Sequence, residues 1–204
     1  MTMIDSLEAL EAIYDAAPAA ASLVKVAGEI TPHYRALIEA SPFVVLATIG
    51  PEGLDCSPRG DKPGFVRIAD SKTLILPDRR GNNRIDSLRN VIRDPRVALL
   101  FLIPGSGTTF RVNGRAAISA DPALLEGFAI DGKPPRTVMV ITVEEAYFQC
   151  ARAIVRSGLW KMESQTGADA LPSPGAMLAA VTAGQVGGET YDREWPDRAA
   201  KTLW

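Results

Sequence analysis

Histidine occurs once in this 204-residue chain, at position 33, and cysteine twice, at 56 and 150. This scarcity leaves no cluster with zinc-ligand spacing. A serine or cysteine nucleophile would have to use His33 as its sole base. That residue lies in TPHYRALIEA, which reads as a helix with Thr31 as its cap and Pro32 in its first turn. The two cysteines lack a CxxC spacing and are expected to be buried, reduced thiols. There is no Walker loop and no GxGxxG, and GQVGG at Gly184 to Gly188 reads as a turn-rich stretch rather than a nucleotide loop. No apolar run approaches the ~20 residues that span a bilayer. A formal charge of −2 leaves no polybasic tail for nucleic acid or membrane. The amino terminus carries acids where a signal peptide carries bases, so a cytoplasmic location is expected.

What is present is the ordinary composition of one soluble domain, 47% apolar and 23% charged. Ser6 to Ala16 has Leu7, Leu10 and Tyr14 on one side of a helix, and a second helix is expected from Pro32 to Glu39, both covering a sheet. From Phe43 the pattern turns to strands. FVVLATI, the turn GPEG and LDCSPRG form a hairpin, and FVRIAD with TLILP forms the next pair. RVALLFLI, at Arg96 to Ile103, is apolar enough to be buried on both faces. After the PGSG turn, TTFRVNGRAAIS runs back, followed by a short helix near Pro122 to Glu126 and a strand from Thr137 to Cys150. Six or seven antiparallel strands at this spacing predict a mainly β (α+β) barrel that closes its own edges, with peripheral helices. The expected layout is one domain: helices packed on the barrel over 1–40, the barrel itself over 41–160, and a carboxy-terminal extension over 161–204. ARAIVRSGLW extends the last strand or forms a short helix. The extension lacks apolar periodicity, yet Met177, Leu178, Trp195 and Trp204 require cover from the barrel or from a partner subunit.

The chain is organised around LILPDRRGNNRIDSLRNVIRDP, Leu74 to Pro95. A buried strand ends at Pro77, which cannot continue a central ladder. A tight loop from Asp78 to Arg84 follows, and Ile85, Leu88, Val91 and Ile92 mark a helix of about three turns, with Asn82 or Asn83 as its natural N-cap. Between Asp78 and Arg96 there are six arginines against three aspartates. Free backbone N–H groups, the positive end of the helix dipole and forked guanidinium donors would each favour a bound anion such as phosphate. The alternative is a solvated basic loop.

The run from Leu74 to Arg84, together with PRVALLF at Pro95 to Phe101, resembles the phosphate-binding segment of the pyridoxamine 5′-phosphate oxidase-like FMN-binding split barrels. The similarity covers about Ser41 to Ser119, and DRRGNNRIDSL at Asp78 to Leu88 resembles an uncharacterised flavoprotein subgroup more than the oxidase itself. The resemblance implies a split barrel, FMN as cofactor, a homodimer with flavin at the interface, and an oxidoreductase acting on a small molecule. A non-catalytic flavin- or haem-binding or sensing protein is the competing reading. By the same resemblance, Asn83 and Arg84 hold the FMN phosphate from the helix start and Arg59 holds it from the neighbouring hairpin. Arg79 and Arg80 are additional candidates. Ser57 and Pro58 line the flavin by their backbones, and Leu76 and Pro77 support the edge of the ring. Thr108 and Thr109 would bond its polar edge, unless they only reflect the β-propensity of threonine. Trp160 would pack on the flavin or cap the barrel. For Arg59 the alternative is a surface ion pair with Asp61. No acid or base stands out as catalytic, as expected where the cofactor carries the redox chemistry.

Overall fold

The computed structural model describes residues 3–14, 17–167 and 170–203. Seven strands are formed: β1 (Phe43–Gly50), β2 (Gly53–Gly60), β3 (Arg67–Asp70), β4 (Thr73–Pro77), β5 (Arg96–Leu102), β6 (Thr109–Ser119) and β7 (Val138–Gln149). They join in one antiparallel sheet of order β2-β1-β5-β6-β7-β4-β3. The fold is mainly β, an antiparallel split barrel with helices around it. The two ends of the order, β2 and β3, are not neighbours in the ladder. The β2 side is instead tied to the end of β4 by side chains, Arg59 to Asp78 at 2.9 Å and Arg79 to Asp61 at 2.6 Å.

Alternation along the strands fills the interior. Val44, Leu46 and Thr48 of β1, Leu99 and Phe101 of β5, Phe110 and Val112 of β6, and Ile141 of β7 all point into one core. β4 is buried on both faces, because Ile75 on its outer side joins a second cluster with Phe128 and Val138 beneath the short helix α5 (Pro122–Glu126). β5, by contrast, alternates between buried and half-buried positions, so the expectation of two fully buried faces is corrected.

Three helices precede β1: α1 (Leu7–Glu11), α2 (Ala20–Val24) and α3 (Pro32–Ala40). Thr31 caps α3 and Pro32 opens it, as its sequence predicts. α3 buries Ile38, and Tyr34 packs against Phe110 with ring centroids 4.9 Å apart and the rings tilted by 53°. The covering role expected of both amino-terminal helices falls to α3 alone. α1 is capped by Ser6 but buries nothing, because five residues offer too little apolar area to dock; Asp15 and Ala16 of the expected longer helix lie outside the described residues.

The helix after β4, α4 (Asp86–Arg93), packs against β1, β2 and β6. Asn90 donates from Nδ2 to Thr48 Oγ1 at 3.1 Å in the core, fixing α4 on β1. Beyond β7, α6 (Arg152–Ser157) decides the ARAIVRSGLW stretch in favour of a short helix. The apparently aperiodic extension forms a helical hairpin of α7 (Pro174–Val181) and α8 (Gly188–Thr202). α7, PGAMLAAV, has no polar stripe and so no period to read. It is started by the Ser173 cap and by Asp192 of α8, which accepts from the Gly175 N–H at 2.8 Å. Met177 and Trp195 are exposed on this hairpin, Leu178 is half-buried, and Trp204 lies outside the described residues.

Candidate functional site

The strand-loop-helix unit from Leu74 to Pro95 folds as its pattern predicts, with one correction at the helix start. Ile85 is the N-cap residue, in the left-handed region at φ 52°, and no side chain caps α4. Asn82 instead accepts from the Arg84 N–H at 3.0 Å, and Asn83 takes φ 60°. The loop needs two left-handed turns to bring the chain from β4 onto α4. Asparagine accepts that conformation readily, whereas a β-branched isoleucine at positive φ is a strained position of the kind that clusters at binding sites.

This loop forms one wall of a cleft of about 720 Å³, within the range of small-molecule and cofactor sites. β2 supplies the opposite wall through Asp55, Cys56, Ser57, Pro58 and Arg59, and a third side comes from Lys133 to Arg136, between α5 and β7. The structure thus brings Ser57, Pro58, Arg59, Arg79, Arg80, Asn83 and Arg84 together around one space. Leu76 and Pro77 do not line it; they are buried next to Arg59 and Asp78, which do. Thr108, Thr109 and Trp160 are elsewhere in the chain. Trp160 donates from Nε1 to the Ser106 carbonyl at 2.7 Å, Thr108 is held by Ser106 Oγ, and Thr109 opens β6 opposite Gln149.

The cleft has six cationic residues (Arg59, Arg79, Arg80, Arg84, Lys133 and Arg136) and three acids, Asp55, Asp78 and Asp86. The acids are largely committed. Arg59 donates from Nη1 to Asp78 at 2.9 Å and from Nη2 to Ser87 Oγ at 3.1 Å, and Ser87 donates to Asp55 at 2.5 Å. Arg59 therefore pairs with Asp78, not with Asp61. Asp61 is taken by Arg79, which also donates to the Phe128 carbonyl at 2.7 Å. Arg84 is bound to Asp86 at 2.6 Å with its side chain 78% exposed, so it lies at the rim. Burial pushes the Asp78 carboxyl above its ordinary value, against the opposing pull of Arg59 and then of Arg136.

The buried Nε of Arg59 has no hydrogen-bond partner, although a buried N–H of this kind almost always finds one. It belongs to a residue that lines the cleft and whose other two guanidinium nitrogens are already fixed. An anion entering the cleft would meet the uncommitted Arg80 and the free N–H groups at the start of α4. The residues present therefore fit a phosphate-bearing ligand.

Two groups of site residues were not legible as such in the sequence. Ser87 of α4 holds Arg59 from 28 positions away and is held in turn by Asp55 of β2, and no local pattern signals that. Lys133 and Arg136 do have a signal, a basic residue on each side of Pro134-Pro135, overlooked beside the richer arginine loop. Both cysteines correct the expectation of burial. Cys56 is on the outward side of the edge strand β2 and Cys150 is at the end of β7, and both are exposed. Among the described residues no group of three or more His, Cys, Asp or Glu could hold a metal ion, and no helix is long and apolar enough to cross a membrane.

A family model described as Pyridoxamine 5'-phosphate oxidase matches residues 30–150, more than half the chain, including every strand of the barrel. The chain belongs to the pyridoxamine 5′-phosphate oxidase family. A search of curated proteins found no match. Among solved structures, similarity is found to HupZ from Group A Streptococcus, with 21% identity over 59% of this chain and 94% of that one, at a TM-score of 0.48. A protein related to general stress protein 26 from Clostridium acetobutylicum, of the pyridoxinephosphate oxidase family, gives 18% identity over 58% and 86%, at 0.46. An FMN-binding protein from Syntrophomonas wolfei gives 12% identity over 70% and 95%, at 0.43. Likeness at this level carries no information about the ligand of this chain.

Proposed function

We propose that the cleft between β2 and the β4–α4 loop binds FMN and that the protein is a flavin-dependent oxidoreductase acting on a small molecule. The observation that carries this reading is a cleft walled by the arginine loop and β2 in which cations outnumber acids two to one. Family membership supports the same cofactor. Arg59, Arg80 and the loop through Asn83 and Arg84 would hold the phosphate, while Ser57 and Pro58 on β2 would face the rest of the molecule. Bound FMN would supply the electron-accepting ring. The chain's own residues bind and orient it, with Asp78 and Ser87 fixing the Arg59 fork before a ligand arrives.

A homodimer is part of this proposal. Register places Pro58, Val45 and Leu100 side by side on the outward face of β2, β1 and β5, with Cys56, Ala47 and Ala98 in the next row and Phe43 beside Leu102. This makes the β2-β1-β5 part of the sheet apolar on both faces, as far as Arg111 and Asn113 of β6, although an antiparallel sheet with one face in water normally alternates apolar with polar. α4 and α3 pack from the core side, through Asn90 to Thr48 and Tyr34 to Phe110. A second copy is the natural cover for the outer face, and Cys56 and Pro58 make that face continuous with the cleft.

The test is titration of the purified chain with FMN and with riboflavin, followed by flavin fluorescence. Binding of FMN at least tenfold tighter than riboflavin is expected. Equal affinities would remove the phosphate site, and the visible spectrum of the protein as purified distinguishes a flavin from a haem. Reduction of the bound flavin by a nicotinamide donor under anaerobic conditions is expected of an oxidoreductase and not of a passive carrier.

A further inference from the structure

The first 24 residues carry four acids and no basic side chain. Leu7 and Leu10 of α1, with Tyr14 just beyond it, recur at helical spacing, and Glu11 falls within the same stripe. All four are exposed. A helix of five residues is far below the length of about 12–15 at which isolated helices become even marginal in water. Ser6 caps it, yet α1 and α2 bury no residue against their own barrel. The arm thus presents an acidic, apolar face that its own protomer leaves uncovered.

α4 offers the opposite pattern. Ser87, Asn90 and Val91 turn toward the core, which leaves Ile85, Arg89 and Ile92 along the outer side at helical spacing. Ile92 is 75% exposed and the Arg89 side chain 60%. Arg93 beside them is held by Glu52 at 2.8 Å, whereas Arg89 has only a loose contact with Asp86 at 3.9 Å. Among the described residues Glu11 makes no ion pair. Each stripe therefore carries one loosely committed charge between apolar side chains, and the two charges are opposite.

The chain's own α1 is set apart from this stripe by its root. Ala27 and Ala146 exchange backbone hydrogen bonds at 3.0 and 2.8 Å, fastening the arm to β7, and Lys25 lies over the Tyr147 and Phe148 rings. On the core side α3 covers β6 and β7, between that root and α4, which packs on β1, β2 and β6. A second copy approaches from elsewhere. The stripe starts at Ile85, which lines the cleft together with Cys56 and Pro58 of the outward sheet face. A copy seated on that face has α4 within reach across the mouth of the cleft.

We propose that α1 of one copy docks on the outer side of α4 of a second copy, with Leu7, Leu10 and Tyr14 against Ile85 and Ile92, and Glu11 against Arg89. This exchange of arms rests on the dimer proposed above and not on the flavin. Twofold symmetry makes the contact twice.

The test is amide hydrogen exchange at residues 7–14 of the full chain, with Arg89→Glu and Glu11→Arg as separate variants. Both side chains are exposed, and circular dichroism verifies that the fold is kept. Exchange in the native sequence is expected to be at least about tenfold slower than in either variant, since each variant sets like charges against one another. The two variants are then mixed in equal amounts, diluted and reconcentrated. In a mixed dimer every arm meets a charge of opposite sign, so slow exchange is expected to return. Slow exchange restored when one chain carries both substitutions, but not in the mixture, places α1 on its own α4 and overturns the proposal. Restoration in neither, or native exchange no slower than that of Arg89→Glu, overturns it as well. Light scattering separates the two readings: a monomer overturns the dimer and the arm together, whereas a dimer whose α1 exchanges fast overturns the arm alone.

Discussion

Arg59 Nη1 donates to the Asp78 carboxylate at 2.9 Å, linking β2 to the end of β4, two strands that the ladder does not pair. Both side chains are 21% exposed. The contact thus joins the two sides of the split barrel and also fixes a guanidinium that lines the cleft.

Arg59→Gln is expected to weaken FMN binding about tenfold or more, since a charged hydrogen bond to phosphate contributes about 1.5–3 kcal/mol. It is also expected to lower stability by about 1–3 kcal/mol, because the half-buried Asp78 would lose its partner. Arg84→Gln should cost less binding, because that side chain is at the rim and already bound to Asp86. Fluorescence titration and urea denaturation of both variants measure these effects. An Arg84→Gln loss exceeding that of Arg59→Gln would reverse the assignment.

The Asp78 carboxyl is raised by burial, so the native chain takes up this proton at a higher pH than the unfolded chain does. Stability from that proton is complete below the unfolded value of about 4 and is lost as pH rises through the native value. Relative to Asp78→Asn, the native sequence should therefore lose stability as pH rises above about 4. Urea midpoints at a series of pH values provide the comparison. A native sequence that gains on the variant with rising pH would contradict the shift.

Gly114 sits where the β6–β7 register shifts, so that Val143 and Glu144 are accommodated opposite it. A Cβ there would collide with the Thr142 carbonyl oxygen, part of a backbone that cannot swing aside as a side chain can. Gly114→Ala is expected to destabilise the fold by about 2–4 kcal/mol. Thermal or urea unfolding reads this directly, and a loss below about 0.5 kcal/mol would show that the bulge relaxes freely.

Val45 and Leu100 are register partners on the outward face of the sheet. A charge at either position would be buried without a partner in the proposed dimer and exposed in a monomer. Leu100→Glu is therefore expected to shift the protein to a monomer in light scattering while the sheet remains folded by circular dichroism. A dimer that survives this substitution does not use this face.

The sequence by itself determined the strands, their antiparallel order along the chain and the strand-loop-helix unit at Leu74 to Pro95, because these depend on local periods and on proline and glycine at fixed places. Thr31 and Pro32 at α3 and the end of β4 at Pro77 are readable for the same reason. Tertiary structure decided which arginine meets which acid. Arg59 finds Asp78 across 19 positions and Arg79 finds Asp61 across 18, separations set by the curl of the sheet and not by any spacing. It also decided that Ile85 occupies the N-cap position of α4 in the left-handed region, two residues after Asn83 takes the same conformation, a placement that no local pattern gives. The α7–α8 hairpin follows the same logic. α7 has no polar stripe, and the Asp192 carboxylate that completes its first turn comes from another helix, so its formation depends on a contact that no local pattern encodes.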